Sequence, residues 1–330
     1  MEQKITFQPI LFHSDEPKEK LKEITNKLEE GVQKVFQSET YREYLDFMAK
    51  FHCYSARNCI LIKMQMPEAS QVASYTDWKR KFHRQVRKGE KGIKILAPSP
   101  YKMKKRREKM DPETKKPMKN DKGECLWEEI EVTVPYFKIV TVFDVSQTEG
   151  QELPKYRINE LQGDVNQFSL LFSAFKNLSP YPIYFKDLPE TCYGCTDYQK
   201  RKIFLKEGIS ELQTLKTAIH EISHATQHDP AHFQGRSLPE RSTCEVQAES
   251  IAYVLCQYYG LDTSNYSFSY IAHWSSQRDE KQLKESLDLI RGTSHRFIQQ
   301  IDESLFLSKE KSKVGKSQQS KEKRRKGRGL

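Results

Sequence analysis

The stretch AIHEISHATQHD, Ala218 to Asp229, contains three histidines and one glutamate at the spacing of an α-helix. Residues four apart lie on one face of a helix, so His220 and His224 can offer two imidazoles to one ion. Glu221 follows directly, where its carboxylate can take a proton from a metal-bound water. Apolar residues between these polar ones give the helix a buried face. The pattern predicts a metal-binding helix, and a polar surface helix is the alternative.

A catalytic zinc site needs a third protein ligand and an open position for water. The downstream stretch STCEVQAESIAYVLCQYYG, residues 242–260, predicts a second helix with Glu245 and Glu249 on one face. We interpret Glu245 as the third ligand and Glu249 as the acceptor for the free N–H of His220, which would fix its tautomer. The reverse assignment of the two glutamates remains open. His228, one turn beyond the motif, is interpreted as a cap of the helix end.

These two runs together resemble the gluzincin-type metallopeptidase domains of the ImmA/IrrE group and of ArdC-like antirestriction proteins. The resemblance covers about 60 residues. It implies a zincin-like fold, a Zn²⁺ cofactor held by His220, His224 and Glu245, and a peptide or protein substrate, with Glu221 as the catalytic base. Whether the site turns over a substrate is left open by the sequence.

Length and composition restrict the class of protein. The chain has 330 residues, 30% of them charged, and a mean hydropathy of −0.79. No run approaches the ~20 apolar residues of a membrane helix, and the N-terminus lacks the pattern of a secretory signal. Seven cysteines, an odd number, favour reduced thiols and a cytoplasmic protein with no membrane partner. The single C-x-x-C pair, Cys192 and Cys195, supports neither a zinc ribbon nor a redox site.

Charge is unevenly distributed along the chain. Residues 51–109 contain 16 Lys and Arg against 4 Asp and Glu, whereas residues 151–308 contain 16 against 20. Residues 309–330 contain 10 against 2. Basic segments of this kind usually bind nucleic acid, although a solvated surface is the alternative.

Aromatic and basic residues are interleaved within the first basic segment. Bases of a single strand can stack on Tyr and Trp rings while Arg and Lys follow the phosphates. The predicted nucleic-acid-binding residues are Arg57, Asn58, Tyr75, Trp78, Lys79, Arg80, Arg87, Lys88, Lys91 and Lys94. A tryptophan such as Trp78, taken alone, is more often a core residue than a stacking platform, and the cluster rather than any one residue indicates nucleic acid.

The runs SARNCILI, from Ser55, and VRKGEKGIKILAP, from Val86, resemble the N-terminal single-stranded-DNA-binding domain of ArdC-like proteins. Such proteins are carried by conjugative plasmids and transposons, so the resemblance implies antirestriction, or protection of incoming DNA, on a mobile element. The lysine-rich segment 101–124 is longer than that family requires. We expect it to form a flexible hairpin arm.

The periodicities predict an α+β fold in two domains. We expect a single-stranded-DNA-binding domain over residues 1–150, a zincin-like HExxH metallopeptidase domain over 151–308, and a disordered basic tail over 309–330. Residues 128–150 alternate polar and β-branched residues and predict a pair of strands. Two other functions remain: a DNA-binding protein whose metal site is structural or inactive, and a protease whose basic half recognises a protein.

Overall fold

The structure, a computed structural model, describes residues 7–153, 167–235, 237–264 and 268–326. Of the last helix, only the backbone is considered beyond residue 307. In these ranges the helices are α1 (Pro17–Val35), α2 (Ser38–Phe51), α3 (Ala56–Gln65), α4 (Tyr75–Arg80), α5 (Gln167–Leu178), α6 (Glu211–Gln227), α7 (Arg241–Tyr258), α8 (Ile271–Ser276) and α9 (Glu280–Lys326).

The strands are short and form small sheets. They are β1 (Val72–Ser74), β2 (Arg84–Val86), β3 (Ile93–Pro98), β4 (Tyr101–Glu108), β5 (Trp127–Val134), β6 (Phe137–Asp144), β7 (Thr148–Gly150), β8 (Ile183–Lys186), β9 (Gly194–Asp197) and β10 (Lys202–Lys206). Helices and strands thus mix as the α+β prediction requires, which confirms the fold class at that level.

The first three helices form because their apolar residues recur at helical spacing. In α1 the residues Ile24, Leu28, Val32 and Val35 are all buried along one stripe. Helix α3 begins at Ser55, whose side chain accepts a hydrogen bond from the backbone N–H of Asn58 and so caps the helix.

An antiparallel sheet in the order β1-β6-β3 covers these helices, and β2 pairs with β7 beside it. The alternation over residues 128–150 does mark two strands, β5 and β6, but they do not pair with each other. β6 lies between β1 and β3, and β5 pairs with β4. A period of two residues identifies a strand without specifying its partner.

The lysine-rich arm does form a hairpin, a two-stranded ribbon in which β4 pairs with β5. Its basic strand faces an acidic one: Lys102 lies 2.6 Å from Glu131, and Arg107 lies 2.7 Å from Glu128. Residues 101–134 contain ten Lys and Arg against eight Asp and Glu. The ribbon is therefore nearly neutral, although β4 alone is strongly basic.

The second half of the chain surrounds helix α6. The sheet β8-β10-β9 lies on one side of it, with β10 parallel to β8 and antiparallel to β9. Helix α7 packs on α6 and also contacts α2 and α9. Helix α5 is described from Gln167 onward, and residues 154–166 lie outside the described residues.

One hydrophobic core runs through both halves of the chain, from Ile24 to Leu305. Buried polar contacts accompany it: the hydroxyls of Tyr41 and Ser250 are 2.7 Å apart, and the Tyr253 hydroxyl donates to Asp46. The two predicted domains thus share a core, and the boundary at residue 150 stays a prediction.

Helix α9 continues to Lys326, which differs from the expected disordered tail over 309–330. Lysine, glutamine and glutamate, frequent in this segment, are good helix formers, so charge-rich composition is as compatible with a helical backbone as with disorder. Residues 327–330 lie outside the described residues.

Trp78 provides a test of this fold. Its side chain is fully buried, and its indole N–H donates to the backbone carbonyl of Phe143. Trp78→Ala should lower the free energy of unfolding by about 3–5 kcal/mol, the usual effect of removing a large buried ring. Lys79→Ala, next along the same helix and exposed, should change it by less than about 0.5 kcal/mol. Urea denaturation compares them, and an unchanged Trp78→Ala midpoint would place the ring outside the core.

Candidate metal centre and nucleic-acid surface

The candidate metal centre lies where α7 packs against α6. Ser210 caps the N-terminus of α6, because its side chain accepts a hydrogen bond from the backbone N–H of Gln213. Both His220 and His224 lie on this helix. Helix α7 supplies Glu245 on the surface that faces them. The two helices bury their apolar sides against each other, so the polar groups left at this junction converge on one point.

The three ligand atoms form a nearly equilateral triangle. His220 Nε2 lies 3.1 Å from His224 Nε2, and Glu245 Oε2 lies 3.4 and 3.5 Å from these two nitrogens. Such a triangle has its centre about 2 Å from each corner, which is the usual length of zinc–nitrogen and zinc–oxygen bonds. The donor set therefore fits a divalent ion without rearrangement.

Charge is concentrated at this point. Burial opposes protonation of His220, but the Glu245 and Glu249 carboxylates outweigh it and raise its pKa to about 10. The same histidine, together with His224, holds the pKa of Glu245 well below its usual range. A metal ion must displace the proton from His220, so its affinity should increase with pH.

Two further groups orient the histidine rings. Oε2 of Glu249 lies 3.1 Å from Nδ1 of His220, which is close enough for an ion pair. The angle at the N–H group does not meet the geometry of a hydrogen bond. Nδ1 of His228 lies 3.1 Å from Nδ1 of His224, and burial lowers the pKa of His228 to about 4. His228 thus ends the helix as expected but also contacts the His224 ring, and its Nε2–H donates to the amide oxygen of Gln247 at 3.0 Å.

Glu221 points toward the strand β9 and is nearly buried. The Thr196 hydroxyl donates to its Oε2 at 2.7 Å. The strand approaches closely because it has a glycine there: a Cβ at Gly194 would lie 2.5 Å from a methyl of Thr217 and 3.1 Å from Cγ of Glu221. Any other residue at Gly194 would push β9 away from the helix.

Two cavities, of about 360 and 500 Å³, both reach His220 and Glu221. Tyr198 lines the larger one, together with His224 and Glu245. Thr196 and Tyr198 were missed by the sequence reasoning. The preceding C-x-x-C pair was the only signal in this stretch, and it indicated neither a strand nor a cleft. Of the aromatic residues after α7, Trp274 is buried and Tyr270 is exposed.

The structure separates the predicted nucleic-acid-binding residues into exposed and internal groups. Arg57, Tyr75, Lys79, Arg80, Arg87, Lys88 and Lys91 are exposed, and Lys94 is half-buried with its ammonium donating to Thr141. Arg87 is paired with Glu90 at 2.7 Å. Tyr75 has 49% of its surface exposed, so its ring face is accessible.

Two of the predicted residues are structural. Trp78 is fully buried, and a buried ring cannot stack on a base. Asn58 is also buried, and its amide exchanges two hydrogen bonds with the backbone of Leu96, at 2.9 Å each. Both are therefore withdrawn from the nucleic-acid surface, because their polar groups are already used in holding α3 and α4 to the sheet.

Gly92 also has a packing role. A Cβ there would lie 2.1 Å from the Thr141 methyl group, so its absence lets the segment before β3 lie against β6. The close approach at Gly92 is therefore to side chains of β6. The preceding turn is organised by Gln147, whose amide donates to Glu90 and to the carbonyl of Lys91.

Comparison with known proteins finds a similarity in the first half of the chain. Residues 14–143 match the family model of the N-terminal domain of the anti-restriction factor ArdC. The ArdC N-terminal domain model spans the elements α1 to β6, including the ribbon and the exposed basic residues. It ends before α6 and α7, so the metal centre lies outside it.

A Bacillus anthracis protein, itself uncharacterized, is 30% identical over 341 aligned positions, which cover 92% of this chain. The chain spans about half of that protein, 55% of its length. Crystal structures of the antirestriction ArdC protein from the R388 plasmid, metal-free and Mn(II)-bound, are similar at 19% and 18% identity. The similarity covers 76% of this chain and 85% of each of those chains, with TM-scores of 0.45 and 0.44.

None of the helices in the described ranges has the length and apolar character required to cross a bilayer.

The triangle of ligands leads to a prediction about metal content. Purified protein should bind zinc, and His220→Ala or His224→Ala should each remove one equivalent, because each removes one corner. Glu249→Gln should weaken affinity about 10–100-fold, as loss of a group that orients a ligand usually does. Glu221→Gln should retain the metal. Elemental analysis and competition with a chromogenic chelator measure both quantities.

Glu211→Gln is the matched control, since it removes a carboxylate from the first turn of the same helix. It should leave zinc affinity unchanged. If Glu221→Gln lost the metal as completely as the histidine variants, Glu221 would be a ligand rather than a free base.

Proposed function

We propose that this protein is an antirestriction factor of a conjugative mobile element that binds single-stranded DNA and carries a zinc-dependent peptidase centre. The peptidase part of this proposal rests on one arrangement, the triangle of candidate ligands with Glu221 next to it. The three corners of the triangle are His220, His224 and Glu245. The match of residues 14–143 to the ArdC N-terminal domain model supports the antirestriction part. The proposed domains are residues 1–150 for DNA and 151–308 for the peptidase.

When bound, zinc would polarise a peptide carbonyl and lower the pKa of a water molecule. Glu221 is placed to accept a proton from that water and later to donate it to the departing amine. The Thr196 hydroxyl holds the Glu221 carboxylate in position, because it donates to Oε2. Glu249 and His228 keep the imidazoles oriented toward the ion rather than taking part in proton transfer.

The substrate of this centre would be an extended peptide. Strand β9 lies at the edge of the sheet β8-β10-β9 and runs beside Glu221. An edge strand presents unpaired N–H and C=O groups with which an extended chain can pair. A peptide added along β9 would lie across the cavities that reach His220 and Glu221.

Single-stranded DNA would bind on the exposed basic surface of the first half. Residues 51–98 contain ten Lys and Arg against three Asp and Glu, a stronger excess than in the ribbon. Arg57, Lys79, Arg80, Lys88 and Lys91 would contact phosphates, and Tyr75 would stack on a base. Occupation of the strand by this surface would keep it from a restriction endonuclease.

The peptidase proposal predicts the effect of Glu221→Gln on turnover. With zinc bound, the wild type should cleave members of a randomised, internally quenched peptide mixture. Glu221→Gln should lower the rate by about 10²–10⁴, the usual contribution of a general acid–base group, while metal content stays constant. Fluorescence release and elemental analysis on the same samples measure both.

Glu211→Gln should cleave at the wild-type rate. A wild type that is fully loaded with zinc yet cleaves no faster than Glu221→Gln would favour a structural metal site in a DNA-binding protein.

The DNA proposal predicts a strand preference that depends on Tyr75. The full chain should bind a single-stranded oligonucleotide more tightly than the same sequence as a duplex, because only the single strand offers free base faces. Tyr75→Ala should weaken single-strand binding by about 1–3 kcal/mol and leave duplex binding nearly unchanged. Lys88→Ala should weaken both and reduce the salt dependence. Fluorescence anisotropy at several salt concentrations measures these effects.

Tyr193→Ala is the control, since Tyr193 is exposed to the same extent as Tyr75, 49%, but lies outside the basic half. It should leave both affinities unchanged. Equal affinity of the wild type for single-stranded and duplex DNA would exclude stacking. If the basic half recognises only a protein, neither form of DNA should bind.

A further inference from the structure

A second group of metal-ligating side chains lies where the end of α2 meets α9. His52 forms the C-terminal cap of α2, Cys53 follows it, and His295 lies on α9. The Nδ1 atoms of His52 and His295 are 3.0 Å apart, and Sγ of Cys53 lies 3.8 Å from Nδ1 of His52. One ligand atom from each residue lies within 4.8 Å of the other two.

These distances suit a metal ion of intermediate softness. Around a tetrahedral zinc ion, with zinc–nitrogen bonds of about 2.0 Å and a zinc–sulfur bond of about 2.3 Å, two nitrogens lie about 3.3 Å apart and a sulfur lies about 3.5 Å from each nitrogen. The His52–His295 separation is close to the first value. Sγ of Cys53 lies 3.8 Å from Nδ1 and 4.0 Å from Nε2 of His52, so the thiol would have to rotate toward Nδ1 to bind the same ion. Cys53 is exposed, so its thiol is free to turn and a fourth position remains open to water.

Burial affects the protonation of all three side chains. It lowers the pKa of His52 to about 4 and lowers the pKa of His295 as well, and it raises the pKa of the Cys53 thiol. A metal ion would therefore have to displace the proton of the thiol, so its affinity should increase with pH.

The surroundings hold the first ring in place. The Tyr258 ring packs edge-on against His52, with centroids 5.1 Å apart, and its hydroxyl donates to Asp302 on α9 at 2.9 Å. A single hydrogen bond between the imidazoles would account for the His52–His295 contact alone. It gives no reason for a thiol beside both rings.

We propose that His52, Cys53 and His295 form a second metal site, specific for a thiolate-binding divalent ion such as zinc. The site joins the end of α2 to α9 and so links the first half of the chain to the second. It is independent of the centre at His220 and does not rest on the proposed function. The chain would then bind about two zinc ions, one at each cluster.

Cobalt(II) distinguishes the two sites, because a cobalt–thiolate bond gives an intense charge-transfer absorption in the near ultraviolet and the triangle of His220, His224 and Glu245 contains no sulfur. Titration of the full chain with cobalt should produce this band. The double variant His220→Ala/His224→Ala should retain it. Cys53→Ser should lose the band and keep cobalt at the first site, and His295→Ala should weaken cobalt binding at the second site at least tenfold.

Cys244→Ser is the matched control, because Cys244 lines the cavity beside Glu245 and is the cysteine adjacent to a ligand of the first site. It should leave the band unchanged. Loss of the band in Cys244→Ser or in the double histidine variant would assign the thiolate to the first site and overturn the proposal.

Thermal unfolding gives a second readout. Zinc should raise the Tm of His220→Ala/His224→Ala in proportion to the logarithm of its concentration, since a ligand that binds only the folded state stabilises it. Adding Cys53→Ser should abolish this increase. Because Cys53 is exposed, the serine variant should fold, which its Tm without zinc will verify. Absence of both the cobalt band and the zinc-dependent increase would leave an imidazole–imidazole hydrogen bond as the whole explanation.

Discussion

The packing of α7 across α6 is the contact on which the rest of the molecule depends. It brings a glutamate from one helix within 3.5 Å of two histidines on the other, and the burial of apolar side chains on both helices stabilises that arrangement. The Glu245 and Glu249 carboxylates at this junction raise the pKa of His220 to about 10. Positive charge at this point, from a proton or from a metal ion, would offset the two carboxylates that the helices bring together.

The same helix also positions the first half of the chain, because α7 contacts α2. Tyr41 and Tyr253 exchange hydrogen bonds across this contact with residues of the opposite half. Displacement of α7 would therefore disturb the ligand triangle and the support of the basic surface together. We infer that the two predicted domains act as one mechanical unit.

Local patterns in the sequence were sufficient to group the candidate metal ligands and insufficient for their surroundings. His220 and His224, like Glu245 and Glu249, are separated by one helical turn, a spacing that does not depend on the rest of the fold. Thr196 belongs to a four-residue edge strand that has no periodicity to detect. Its position beside Glu221 depends on Gly194, and this dependence is evident only from the three-dimensional structure.

The basic half shows a different limit of sequence reasoning. Alternating aromatic and basic residues are expected of a surface that stacks on bases. They are also expected of an amphipathic helix whose aromatic side chain is buried in the core, and Trp78 belongs to this second case. Lysines of β4 add to the charge counted along the chain, but they face glutamates of β5 that lie about 25 residues later. When a basic strand pairs with an acidic one, their charges largely cancel. The net charge counted along the basic segment alone therefore overestimates the electrostatic field at a distant phosphate.

The shared core has a consequence for the evolution of this protein. A domain with its own core can be gained, lost or exchanged by recombination between genes, since the remaining part still folds. Here a break near residue 150 would leave Tyr41 and Tyr44 of one product, and Tyr253 of the other, without the partners that bury them. Recombinants at that point would expose this apolar surface, so two halves joined in this way would be inherited together and would change together.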